Sequence, residues 1–290
     1  MIPAFNVRYL PMIEPMIKAV IDCNSFALIE VARTEWVEFE AKGPEEVYRE
    51  FGKYSRPGHV RLHLDHIPVI DEEGERIDYL RVIKQAIDLG YESVMVDGSR
   101  LPLEENIKAT REVVKCAQKA GVACEAELGA VLGHEKGPLP PYEELYRTGK
   151  GFTNIDEAGR FVEETGCSWL SVAVGNIHGA ISEALRGKKK IEARLNLDHV
   201  QKISRKVNIP LVLHGGTGIQ KECLLKAAQL GVAKINVATE LSQVYEKALR
   251  AKGRIHQAQE ALYKQTVTLI KGRFNIHGLD IGGQQDTDYY

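Results

Sequence analysis

The chain has 290 residues, 44% of them hydrophobic, enough to bury a substantial core as one large domain or two smaller ones. A formal charge of -2 with interspersed charges offers no basic face for nucleic acid, and no apolar run reaches the roughly 18 residues of a membrane span. The five cysteines, Cys23, Cys116, Cys124, Cys167 and Cys223, are odd in number and form no close pair; with no charged-then-apolar leader, the expectation is a soluble, cytoplasmic enzyme with reduced thiols.

The first strand candidate is Ile2 to Asn6, followed by Ala27 to Ala32 and by Val60 to His66, which ends in His63-Leu64-Asp65-His66. Next comes Ser93 to Asp97, whose run Ser93-Val94-Met95-Val96 suits a strand buried on both faces. Leu103 to Ala120 reads as a helix because Ile107, Val113, Val114 and Ala117 recur at helical spacing, with Pro102 at its first turn. The remaining strand candidates are Val122 to Leu128, Trp169 to Val174, Pro210 to His214 and Lys234 to Ala238. Gly133 to Thr153, rich in Gly, Pro and charge, reads as a loop over the mouth of the fifth strand, with a plain surface insertion as the alternative.

Short apolar run, turn and longer amphipathic segment alternate about every thirty residues, which is β-α alternation. The predicted fold is α/β, a closed (β/α)8 TIM barrel over residues 1–272 with a C-terminal tail over 273–290. A doubly wound open sheet is the competing architecture.

In a barrel of this kind the active site gathers at the carboxyl ends of the strands. Asn6, Asp65, His66, Asp97, Ser99, Glu127, Asn176, His178, His214, Thr217, Asn236 and Thr239 all stand at or just past a predicted strand end. A single histidine there is more often structural than a ligand. Three of them, His66, His178 and His214, beside polar or glycine turns point to a zinc site with three imidazoles and an open fourth position, and Asp65 places a carboxylate next to it. His199, in Asn196-Leu197-Asp198-His199, copies the motif on paper but opens an amphipathic stretch, so Asn196 or Asp198 reads as a helix cap. Gly215 to Ile219 and Asn236 to Glu240 follow the seventh and eighth strands, where barrels commonly bind phosphate on backbone N–H groups at a helix amino terminus.

Ile2 to Asn6, His63 to His66, Ser93 to Ser99, Leu101 to Asn106, Glu125 to Gly129, Asn176 to Gly179, Leu211 to Ile219 and Lys234 to Leu241 together resemble the class II zinc-dependent aldolases of ketose phosphates. That family includes fructose- and tagatose-bisphosphate aldolases, and the resemblance covers nearly the whole chain. It implies that His66, His178 and His214 hold Zn2+, with Asp97 and Glu127 around the metal in an alternative position. It implies that Asp65 is the acid/base at the C4 oxygen, and that Gly179, Gly215, Thr217, Asn236 and Thr239 grip one phosphate. Asn236 would also lie close to the enediolate formed when the C3–C4 bond breaks, with zinc as the electron sink. Dihydroxyacetone phosphate and an aldehyde would be the products, and Glu135 is the candidate acid at C3. The same resemblance implies a monovalent cation near the phosphate in some members and a homodimer or homotetramer.

The chain departs from the family pattern in several places. Members usually carry a helix before the first strand, so either the barrel bottom is closed differently here or the start is truncated. A small-residue turn after the second strand is replaced by Arg33-Thr34-Glu35-Trp36, which leaves recognition of a second phosphate open. Pro138, Pro140 and Pro141 stand where the family tends to be acidic, while Ala238 resembles the tagatose-bisphosphate enzymes. A Schiff-base aldolase needs a lysine on an inner strand face; none is expected, because Lys234 starts its strand. A zinc hydrolase would show His-x-His on the first strand, which reads Ala4-Phe5-Asn6. A non-catalytic zinc- and sugar-phosphate-binding protein would have little need of Asp65 beside the metal.

Overall fold

The computed structural model describes residues 1–129, 131, 141–177 and 193–278. Eight parallel strands close into a barrel in chain order: β1 (Ile2–Asn6), β2 (Ala27–Ala32), β3 (Val60–Pro68), β4 (Ser93–Asp97), β5 (Ala123–Leu128), β6 (Trp169–Val172), β7 (Leu211–Leu213) and β8 (Val232–Val237). Closure is made where β1 pairs with β8, Ala4 opposite Asn236. The (β/α)8 barrel expected from the alternation is the fold, and the open sheet is excluded because that pairing leaves no edge.

The outer layer is helical: α1 (Ile13–Asp22), α2 (Arg33–Val37), α3 (Pro44–Tyr54), α4 (Tyr79–Leu89), α5 (Leu103–Lys119), α6 (Tyr142–Thr148), α7 (Ile155–Thr165), α8 (Leu197–Val207), α9 (Lys221–Gln229), α10 (Thr239–Lys252) and α11 (Ile255–Thr268). On α5 the buried set Asn106, Ile107, Thr110, Val113, Val114 and Ala117 is the periodic face seen in the sequence, and Pro102 stands just before its first residue. Asn196 caps α8 by accepting from the His199 N–H at 3.0 Å, so the decoy histidine belongs to a helix start. A π-helical turn, Leu269–Phe274, follows α11 and carries buried Phe274 past position 272.

Outward strand positions such as Ile29, Val31, Leu62, Leu64, Ala126, Ile235 and Val237 pack against the helices in one apolar layer. Burying each of the valine, leucine and isoleucine side chains among them contributes about 1.5–3 kcal/mol. Inward positions differ from the Val, Ile and Leu layers usual in this fold. Glu30, His63, Asp65, Glu125, Lys234 and Asn236 are all buried, and their mutual contacts cross the barrel from one strand to another.

Part of the segment expected as a loop from Gly133 to Thr153 is helical. Glu143 and Glu144 in the first turn of α6 favour the helix amino end, and Gly149 ends it in the left-handed conformation. The Tyr142 hydroxyl ties this helix down by donating to the Gly175 carbonyl at 2.9 Å. Residues 132–140 and 279–290 lie outside the described residues.

Candidate active site

Asp65 and His66 are neighbours on β3, and neighbours on a regular strand face opposite ways. A register shift between Leu64 and Ile67 breaks that alternation, and His66 takes a left-handed φ of 22°. Such a bulge re-aims a side chain, here bringing the imidazole to the same end of the barrel as the carboxylate. Left-handed backbone at a residue other than glycine carries local strain, and it persists only where the surroundings enforce it.

Asp65 is 1% exposed. Its Oδ2 accepts from Asn6 Nδ2 at 2.9 Å and its Oδ1 from Asn236 Nδ2 at 3.0 Å. Burial by itself disfavours its charge, but His66, Lys234 and His214 outweigh burial and hold the carboxyl well below the ordinary range. It is an ionised carboxylate seated between two amides from the first and last strands.

The imidazoles meet across the barrel mouth. His66 Nδ1 lies 3.1 Å from Asp97 Oδ2, and Asp97 Oδ1 accepts from the Ser99 N–H and hydroxyl at 2.9 and 2.6 Å. His214 Nε2 lies 2.8 Å from Glu125 Oε1. The other nitrogens, His66 Nε2 and His214 Nδ1, face each other directly, with the rings edge-on at 84°. Carboxylates thus hold the outer nitrogen of each ring and leave the inner pair aimed at one point, an arrangement typical of metal-ligating histidines. Donor atoms of Asp65, His66 and His214 lie within 4.8 Å of one another, as do those of His66, Asp97 and Glu127. These two groups fit a divalent ion in two neighbouring positions. Burial, with Asp97 nearby, raises Glu127 to about 8.

The loops after β7 and β8 are joined. The Gly216 N–H donates to the Asn236 carbonyl at 3.0 Å, and the Glu240 N–H to Thr217 Oγ1 at 3.4 Å. Gly215, Thr217, Asn236 and Thr239 therefore sit together beside the amino end of α10. Arg273 from the π-helical turn braces them, donating to Glu240 at 2.8 Å and to the Ile219 carbonyl at 2.7 Å. His178, Gly179 and Glu135 lie outside the described residues.

Four inward residues were given no role in the sequence reading: Glu30, His63, Glu125 and Lys234. Three of them stand two positions before a named site residue, His63 before Asp65, Glu125 before Glu127 and Lys234 before Asn236, so the period-2 alternation of strands carried the signal. Lys234 corrects the expectation that no lysine reaches an inner face. It is 3% exposed, with Nζ 2.9 Å from Glu125 and 3.2 Å from Glu30. Burial alone would favour the free amine, but Glu125 and Glu30 outweigh it and raise the pKa. A Schiff-base lysine needs the opposite shift.

The unusual turn after β2 is helix α2. Glu35 is buried, accepts the Ala32 N–H at 2.8 Å and contacts Asn6. Burial pushes its carboxyl up to about 8.

The profile of the family described as Fructose-bisphosphate aldolase class-II matches residues 1–277. The chain belongs to that family. A fructose-bisphosphate aldolase of Streptococcus pyogenes serotype M3 is 40% identical over 205 residues, covering 70% of this chain and 61% of the relative. A 6-phospho-5-dehydro-2-deoxy-D-gluconate aldolase of Halalkalibacterium halodurans is 41% identical over 191 residues, 66% of this chain and 57% of the relative. The chain thus spans about three fifths of the curated relatives it matches, 61% and 57% in these two cases. Among solved structures, the YdjI aldolase of Escherichia coli K12 superposes with a TM-score of 0.71 at 28% identity, covering 96% of this chain and 92% of its own. Two relatives of nearly equal identity carry different substrate names, so likeness to them does not choose the sugar.

Proposed function

We propose that this family member is a zinc-dependent aldolase that cleaves and forms the C3–C4 bond of a ketose mono- or bisphosphate, giving dihydroxyacetone phosphate and an aldehyde. The observation that carries the reading is the seat of Asp65. An ionised carboxylate held by two amides, beside imidazole nitrogens that converge on one point, suits proton removal next to a metal.

In the cleavage direction Asp65 takes the proton from the C4 hydroxyl. The C4 oxygen becomes a carbonyl as the C3–C4 bond breaks, and the bonding pair passes to the three-carbon fragment, whose carbonyl oxygen gains negative charge. Zinc held by His66, His214 and His178, with Asp97 and Glu127 as a neighbouring position, would supply Lewis acidity at that oxygen. Asn6 and Asn236 keep Asp65 aimed, and the buried Asn236 Oδ1, which has no hydrogen-bond partner among the described residues, is available to a substrate hydroxyl. Gly215, Thr217, Asn236 and Thr239, beside the amino end of α10, would bind the phosphate together with Gly179, and a monovalent cation would offset its charge. A protonated Glu135 would give its own proton to C3, while Asp65 releases the C4 proton to solvent and solvent reprotonates Glu135, so that both groups are reset.

The reading extends to a cytoplasmic homodimer or homotetramer whose catalytic unit is the barrel, residues 1–272, with 273–290 as a tail whose first two residues, Arg273 and Phe274, pack back onto the barrel. No described helix is long and apolar enough to cross a membrane. Release of dihydroxyacetone phosphate is measured from a panel of ketose mono- and bisphosphates and 6-phospho-5-dehydro-2-deoxy-D-gluconate, before and after chelation and zinc restoration. Cleavage lost on chelation and regained with zinc is expected. A protein that holds zinc and cleaves none of them refutes the assignment and favours a binding role.

A further inference from the structure

Behind the metal-facing histidines a line of buried polar contacts runs through the barrel. Glu30 on β2, Lys234 on β8, Glu125 on β5 and His214 after β7 are each between 0% and 3% exposed. Lys234 Nζ lies 3.2 Å from Glu30 Oε2 and 2.9 Å from Glu125 Oε2. The other Glu125 oxygen, Oε1, lies 2.8 Å from His214 Nε2. The line therefore ends on the imidazole whose second nitrogen faces His66.

We infer that Lys234 is a positioning residue for the metal site, acting through Glu125 to fix the ring of His214; this rests on the metal reading above. Glu125 has two oxygens and three neighbours. Lys234 takes Oε2, His214 takes Oε1, and His63 Nε2 waits 3.5 Å from Oε2. Without the ammonium, Glu125 is free to turn toward His63, and His214 loses the acceptor that fixes both its orientation and its tautomer. Carboxylates behind ligating histidines control ligand geometry in this way.

Two other roles for the cluster are weaker. The amine is enclosed and bound by two carboxylates, so it is no nucleophile. Glu30, His63 and Asp65 also place donor atoms within 4.8 Å of one another, but the Lys234 ammonium already supplies positive charge at Glu30, leaving no call for a second ion there. Nor does stability account for it, because apolar residues ordinarily fill this layer and such replacements of buried ion pairs are often neutral or stabilising.

The test uses the full chain as wild type, Lys234→Met, Glu125→Gln and His66→Ala. Zinc and cobalt(II) affinities are measured by competition with a chromophoric chelator, the visible cobalt(II) spectrum is recorded, and folding is checked by circular dichroism and thermal melting. Lys234→Met is expected to fold, to bind both metals about 10- to 100-fold more weakly, and to shift the cobalt spectrum. Glu125→Gln, nearly isosteric, keeps the proposal testable should the methionine variant misfold. Lys234 can donate only to its amide oxygen, which turns the amide NH2 toward His214 Nε2 and forces the wrong tautomer, so an equal or larger loss is expected. Wild-type affinity and spectrum in a folded Lys234→Met or Glu125→Gln protein, while His66→Ala loses metal, overturns this inference alone. A wild-type chain whose metal binding ignores His66→Ala overturns the metal reading and this inference with it.

Discussion

Replacing Asp65 by asparagine keeps the shape of the side chain and removes the base. Each carboxylate oxygen now accepts one amide N–H, from Asn6 at 2.9 Å and Asn236 at 3.0 Å. An asparagine offers one oxygen and one NH2, so one of those amides meets a donor, forfeiting a hydrogen bond to a charged group worth about 1.5–3 kcal/mol. Loss of a positioned general base costs about 10²- to 10⁴-fold in rate, or about 3–5 kcal/mol of barrier. The expected outcome is a retro-aldol kcat down by at least about 100-fold with zinc content unchanged, measured by coupled detection of dihydroxyacetone phosphate and metal analysis of the same preparation. Asp65→Ala should lose as much and be partly rescued by formate. An Asp65→Asn enzyme within about threefold of wild type, far inside the range for a lost base, would refute the general-base role. Loss of zinc instead would move Asp65 into the ligand set, which its place in the Asp65, His66, His214 group permits.

Gly216→Ala would put a Cβ 2.6 Å from Ile235 Cγ1 and 2.8 Å from the Asn236 carbonyl oxygen; overpacking of this kind costs about 1–3 kcal/mol, so a lower melting temperature and a raised KM for sugar phosphate are expected. Arg273→Met removes the brace on Glu240 and Ile219 and should raise KM while leaving kcat nearly unchanged; a fall in kcat alone would contradict the bracing role. Glu35 titrates near 4.5 when unfolded and is pushed up to about 8 in the folded chain by burial, so the native state binds the extra proton between these values and stability falls as pH rises through that window. Relative to Glu35→Gln, wild type should lose on the order of 4 kcal/mol from pH 4.5 to 8, read from denaturant melts at a series of pH values; parallel profiles for the two proteins would refute it.

The fold was largely legible, because strands buried on both faces read as continuous apolar runs and the helices between them keep a clear apolar stripe. Strand ends were less so. β6 stops at Val172 and β7 covers only Leu211–Leu213, since residues with strand-like composition also serve the turns that carry the site. The Asp65-His66 pair was visible as a motif, yet simple alternation would send the two side chains apart, and only the bulge after Leu64 reunites them. A bulge of this kind has no residue signature on β3. Lys234 was missed for a different reason. A lysine near a strand start suggests solvent, and its neutralising partners Glu30 and Glu125 lie 204 and 109 residues away in sequence. Helix α6 was hidden by the prolines that precede it, which mask the acidic first turn and glycine stop.

The two amides that seat Asp65 come from the opening strand and the closing strand of the barrel. A chain emerging from synthesis can lay down β1 to β7 and still hold the Asp65 carboxylate by Asn6 alone, because Asn236 arrives only with β8. On the proposed role of Asp65, catalytic competence becomes a report of topological completion: the proton acceptor would gain its second amide only when the ring shuts.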